Sequence, residues 1–181
     1  MRFIFNDRKA AQAAAHLLAR YERPMPYIKL LKMLYLGDRQ SLIETGYPIT
    51  GAQMVSMDHG PVLSEVLDRI TWDTGGSAWS EYISAPSDWH VGLLKASDGL
   101  ELSDYESDLL DRVHDKYGAW DRWDLVRYTH TLPEWTNPDG LTLPIDVRLI
   151  LRESGSSERE ICEIAAQVES VWAFHRMAAS A

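Results

Sequence analysis

Asp38 lies four residues after Leu34, three after Tyr35 and four before Leu42, so a helical repeat sets its carboxylate on an apolar stripe. A carboxylate in that setting is costly unless paired or hydrogen-bonded. It serves there as a tuned acid, base or ligand, or as an acceptor for backbone N–H groups or for a histidine of the following segment. Structural use is the more common outcome. His59 precedes Gly60 and Pro61 at a point where a strand is expected to give way to a helix, so its ring can face a cavity. The amides beside it would form an anion-binding helix N-terminus, from which Pro61 withdraws one donor. His130 falls seven after Trp123 and four after Val126, again on an apolar face, where a hydrogen-bonded core histidine is the usual finding. Convergence of Asp38, His59 and His130 in one pocket would suit acid–base work in a small hydrolase or transferase. The order of residues alone does not bring them together.

Other chemistries have fewer supports. The six histidines form no HxH, HExxH or HxxxH pair and Cys162 is the only cysteine, so no metal is expected. GxGxxG, GxxxxGK[ST] and GxSxG are all missing, so no nucleotide cofactor and no serine nucleophile are expected either. Ser64 has no visible activating partner, and Cys162, beside the apolar face of a helix, is expected to be a packed thiol. Seven tryptophans are many for a chain of this length, and an exposed cluster of them would favour a protein interface.

The elements that must position these residues are mostly helical. Asn6 or Asp7 caps a helix through Arg20, and a second runs from Pro26 to about Gly46 with little polar circumference, as suits the middle of a fold. Gln53 to Met57 alternates like a short strand, and Pro61 is read as the first residue of a third helix. Trp79 to Ser84 and Trp89 to Leu94 are β-prone runs expected to form a small hairpin. Ser103 with Glu106 makes a capping box opening a helix to Tyr117, and another helix covers about Asp121 to Thr131. Pro144 opens a short helix to Glu153, and a second capping box, Ser157 with Glu160, opens a terminal helix over 158–178. The expected fold is one mainly α domain, 1–181, with a small β-hairpin or short antiparallel sheet.

At 181 residues the chain can bury roughly 70% of the surface its unfolded form exposes, enough for a core without staples. Eighteen basic against 27 acidic residues give a net charge of -9. Residues 1–45 hold 8 basic and 4 acidic side chains and the remainder 10 and 23, so only the first quarter could meet a phosphate backbone. Nucleic-acid binding is therefore not expected. The longest dense apolar stretch, Ile28 to Leu36, carries Lys29 and Lys32 and is too short to cross a bilayer. The single cysteine and the lack of an apolar leader point to the reducing cytoplasm.

Three blocks read together resemble the Panacea domain: Lys29 through Asp38-Arg39 (KLLKMLYLGDR), Tyr47 to Gly51 (YPITG), and Met57 to Val62 (MDHGPV) with Ser64-Glu65-Val66. Tyr128-Thr129-His130 with Pro133 and Trp135 resembles the second part of that family's pattern. The resemblance covers 6–135, and the chain length is similar to that of SocA-type antitoxins and phage-associated GepA-like proteins. It implies a mainly helical bacterial antitoxin that binds a toxin encoded beside it and is not an established enzyme. The SocA-type branch further implies an adaptor that delivers its toxin to a ClpXP-type protease; sequestration and delivery both remain open. Asp38, His59, Gly60, Pro61, His130 and Trp135 match the motif by position, which makes them structural or partner-binding candidates without making any of them catalytic. Gly37 departs from the family, which often has alanine there. Glycine costs about 1 kcal/mol in a helix interior, so close backbone packing is expected at that point.

Overall fold

The second helix sets the frame, because ten consecutive residues of it, from Lys29 to Asp38, are buried on all sides. A computed structural model of the chain describes residues 1–179. The first helix, α1 (Asp7–Leu18), is capped by the Asn6 side chain and buries an alanine-rich face through which neighbouring helices approach closely. A two-residue strand, β1 (Met25–Pro26), leads directly into the central helix, α2 (Tyr27–Thr45). That helix ends where Gly46 turns left-handed at φ +82° and returns its N–H to the Leu42 carbonyl.

A hairpin follows: β2 (Met54–Met57) pairs antiparallel with β3 (Gly60–Leu63), Ser56 opposite Pro61 and Met57 opposite Gly60, with Asp58 and His59 at the turn. Helix α3 (Ser64–Trp72) then leaves the sheet. Pro61 therefore does not open a helix as its sequence context suggested. It sits in an outer strand, where a missing N–H breaks no ladder bond.

The expected hairpin over 79–94 is also not the arrangement found. Ala78–Tyr82 forms a short helix, α4, capped by Ser77, because Trp79 and Tyr82 lie three apart and both bury against the core. The second run supplies β4 (His90–Val91), which pairs with Met25–Pro26 rather than with its neighbour. The two runs still meet around an antiparallel Ile83–Leu93 bridge, with the Ser84 N–H donating to the Gly92 carbonyl and the Leu94 N–H to the Tyr82 carbonyl, and Ser87 between the runs bridges His90.

Both capping boxes close as the sequence implies. Ser103 and Glu106 start α5 (Asp104–Tyr117), and Ser157 and Glu160 bond reciprocally at the start of α8 (Glu158–Ala179). Between them stand α6 (Arg122–Thr129), whose Asp121–Asp124 box the sequence reading passed over, and α7 (Val147–Glu153), capped by Asp146. Pro144 lies not in α7 but in β5 (Leu143–Pro144), which pairs with β2 and completes a three-stranded sheet of order β3-β2-β5. The core joins α1, α2, α4 and α5 with Ile150 and Leu151 of α7 and Ile161 of α8. Cys162, expected to be packed, is exposed on α8. Gly37 meets α5 closely: a Cβ there would stand 3.3 Å from a Leu110 methyl. The molecule is thus mainly α with short antiparallel sheets, and no helix among the described residues is long and apolar enough to cross a membrane.

Candidate functional site

Asp38 is fully enclosed, and its carboxylate is engaged by one residue of the loop after α2. The Thr50 N–H donates to Oδ1 at 3.0 Å and the Thr50 hydroxyl to Oδ2 at 2.5 Å. Burial raises its pKa to about 7 against the opposing pull of these bonds and of the Ile49 backbone. The sequence signal was the carboxylate itself on an apolar stripe. Its threonine partner lies 12 residues on and has no signature of its own.

A second knot forms six residues earlier on α2. Lys32 is fully buried, its ammonium donating to the Pro61 carbonyl at 2.6 Å, and desolvation pushes its pKa down to about 7. Gly60 lets this happen. With φ at +87°, a Cβ at residue 60 would lie 2.7 Å from the Thr129 hydroxyl, 3.0 Å from the Lys32 ammonium and 3.1 Å from the His130 ring. His130, the C-cap of α6, stacks on Trp135 with ring centroids 4.1 Å apart. The Trp135 indole N–H reaches the Met57 carbonyl at 3.2 Å. Burial and the Lys32 charge lower the His130 pKa, while a hydrogen bond with the Asp58 backbone opposes them. Its Nε2 is enclosed without a hydrogen-bond partner, the one such side-chain atom among the described residues. Gly60, Pro61, His130 and Trp135 are therefore brought together around Lys32, which the sequence reading treated only as a charge interrupting an apolar run.

Glu134 makes a third knot. Its carboxylate accepts the Tyr35 hydroxyl at 2.7 Å and the Arg39 guanidinium at 2.6 and 3.2 Å, with the Glu134 side chain wholly buried. Burial first, then the Glu134 charge, pushes the Tyr35 hydroxyl well above its ordinary pKa. Neither Glu134 nor Arg39 was singled out as a site from the sequence, because a 95-residue separation hides their pairing.

Asp38, His59 and His130 do not meet. Asp38 bonds Thr50, His130 stacks on Trp135, and His59 lies exposed at the tip of the β2–β3 turn, its ring edge-on to Trp123 at 5.8 Å. Of the three, only His59 lines a surface cleft. This cleft, of about 310 Å³, is walled by Tyr27 and Ile28 at the start of α2, His59, Trp89, and Arg122 with Trp123 at the start of α6. Tyr27 and Trp89 are tilted 6.0 Å apart, and the Arg122 guanidinium lies over the Trp123 ring at 5.2 Å. Trp89 is 68% exposed and Trp123 45%.

The backbone at Trp89 is as unusual as its exposure. Ser87 and His90 exchange both backbone bonds at 2.9 Å, leaving Asp88 and Trp89 as a two-residue turn with φ of +49° and +63°. Such mirror-image turns favour Asn-Gly or Asp-Gly, and a bulky residue at positive φ is disfavoured by roughly 1–2 kcal/mol. The Trp89 carbonyl is clamped by the Tyr27 N–H at 2.9 Å, so this indole is held outward by a strained, fixed backbone.

Six of the eight basic side chains of the first quarter are engaged within the chain. Arg8, Lys9, Arg20 and Arg39 pair with Glu81, Glu106, Asp111 and Glu134, and Lys29 and Lys32 are tied to the carbonyls of Gly118 and Pro61. Among the described residues no three His, Cys, Asp or Glu side chains group as a metal site.

A family model described as "Antitoxin SocA-like, Panacea domain" matches residues 30–136, more than half of the chain. No curated protein and no solved structure matches it. The matched span holds the buried face of α2, the Asp38–Thr50 anchor, the β2–β3 hairpin, α6 and the Glu134 knot. On that ground the chain belongs to the SocA-like antitoxin family of Panacea domains.

Proposed function

We propose that this protein is the antitoxin of a toxin–antitoxin pair and neutralises its cognate toxin by direct contact in the cytoplasm. The observation that carries the reading is the aromatic cleft: two exposed tryptophans, a tyrosine and an arginine, the residue types that dominate binding hot spots, on a chain of the SocA-like antitoxin family. On this reading Asp38, Gly60, Pro61, His130 and Trp135 hold the scaffold from inside while His59 faces the partner. Co-expression with the neighbouring reading frame tests it. The two proteins should elute together in gel filtration, as an interface burying about 1,200–2,000 Å² permits, and the pair should grow where the toxin alone arrests cells. Separate elution with growth still rescued would reject direct binding.

Delivery to a ClpXP-type protease is a second reading, favoured by a second exposed apolar stripe. Val171, Phe174 and Met177 on α8 are 46, 71 and 74% exposed and share no residue with the cleft. An adaptor must hold two proteins at once, and tethering accelerates destruction by raising effective concentration, without an active site. Toxin half-life with purified protease and ATP should shorten when the chain is added. A longer half-life would leave sequestration alone.

A further inference from the structure

The chemistry of the cleft goes beyond its being apolar. Each of the lining positions His59, Trp89 and Arg122 is preceded in the chain by an exposed aspartate: Asp58, Asp88 and Asp121. Asp121 caps α6 by accepting the Trp123 and Asp124 N–H groups, and Asp58 accepts the Gly140 N–H at 2.9 Å, so both carboxylates are fixed in place. Aromatic faces attract cations, and acidic groups at their edge strengthen the attraction while repelling phosphates and carboxylates. Trp123 already carries a cation, the chain's own Arg122, so the ring left open to a guest is that of Trp89. Trp89 has Tyr27 on one side and is otherwise mostly open to solvent. The chain as a whole, at -9, attracts basic partners.

We propose that the cleft receives an arginine or lysine side chain from a basic segment of the partner protein, seated on the open face of Trp89 and framed by Asp58, Asp88 and Asp121. The proposal rests on the antitoxin reading only for the partner's identity, and its test separates the two. Trp89→Gly removes the ring and at the same time supplies the residue that the left-handed turn favours, so the variant should melt no lower than the wild type. Asp88→Asn removes a charge and suits the same turn.

The indole N–H signals of the full-length, nitrogen-15-labelled chain are followed by NMR during titration with a capped tetra-arginine peptide and, separately, a capped tetra-glutamate peptide at low salt. The Trp89 signal should move saturably with the arginine peptide in roughly the millimolar range. Asp88→Asn should weaken that response roughly threefold, and the glutamate peptide should leave it still. Trp72, 77% exposed but outside the cleft, is the internal control and should not respond. No movement at Trp89, equal movement with both peptides, or an equal response at Trp72 overturns the proposal. In the second arm the co-expressed toxin should bind Trp89→Gly at least about 30-fold more weakly and Trp72→Ala as well as wild type. A toxin that binds both equally overturns the cleft and leaves the antitoxin reading standing. A toxin that ignores the wild-type chain defeats the antitoxin reading, and the peptide titration still decides the cleft.

Discussion

Gly60 and Asp38 carry constraints that differ in kind and can be separated by single substitutions. Gly60→Ala meets a left-handed backbone and a hydroxyl 2.7 Å away, so it should destabilise by roughly 2–4 kcal/mol. Gly140→Ala, at φ +81° with nothing near its Cβ, meets only the backbone strain and should lose about 1 kcal/mol in the same denaturant melts. Asp38→Ala leaves the Thr50 donors buried and unpaired, at about 1–3 kcal/mol. The pH dependence follows from linkage. Folding raises the Asp38 pKa from 3.8 to about 7, so across that window the native state holds a proton the unfolded chain has lost, and stability falls as pH rises. Folding lowers the Lys32 pKa from 10.5 to about 7, so above neutrality the unfolded chain holds the extra proton, and stability rises with pH. Melts from about pH 4 to 10, the span of these two shifts, should show an acid limb that Asp38→Asn flattens and an alkaline limb that Lys32→Met flattens. A limb untouched by its own variant would refute the assignment. Asp38 was legible in the sequence because a charge on an apolar stripe is anomalous. Lys32 stood beside Lys29 in the same run and was not distinguishable from it, because only the fold shows which ammonium is enclosed.

The elements depend on contacts between distant segments, and those were the least legible part. Helices with caps and a long apolar period announced themselves: Asn6, Gly46, Ser103 and Ser157 each stand at an observed terminus. Trp79 to Ser84 misled because a short helix and a short strand present the same few apolar residues, and the choice falls to Ser77 and to what Trp79 and Tyr82 bury against. Pro61 misled because proline suits both a first helical turn and an outer strand. The segment after α6 is pinned to α2 by Glu134 bonding Tyr35 and Arg39. Glu134→Ala should therefore destabilise by about 3–5 kcal/mol, since it strands a largely buried guanidinium. Adding Arg39→Met should recover part of that loss, which a double-mutant cycle in denaturant measures. Full additivity would mean that the two groups do not act as a pair.

Across the whole molecule, charge and apolar surface are divided between cohesion and display. Half of the eight basic side chains of the first quarter pair with carboxylates of the acidic remainder, which an uneven charge map could suggest but could not pair. The far end of α8 divides the same way: Trp172 donates its indole N–H to the Arg2 carbonyl and lies beneath the Arg2 guanidinium, while an apolar stripe stays outside. Val171, Phe174 and Met177 face water, and replacing Phe174 and Met177 together by serine should shift stability by less than about 2 kcal/mol. A larger loss would show that the stripe supports the core rather than a partner. The margins of the three-stranded sheet fix how any partner can be met. Both outer strands carry a proline, Pro61 in β3 and Pro144 in β5. At Pro61 there is no N–H to offer, and the carbonyl is already taken by the Lys32 ammonium. A guest strand seeking to continue the ladder finds that position without a donor and with its acceptor occupied. The sheet is closed to templated strand addition there, which leaves any contact at that position to side chains rather than to shared backbone.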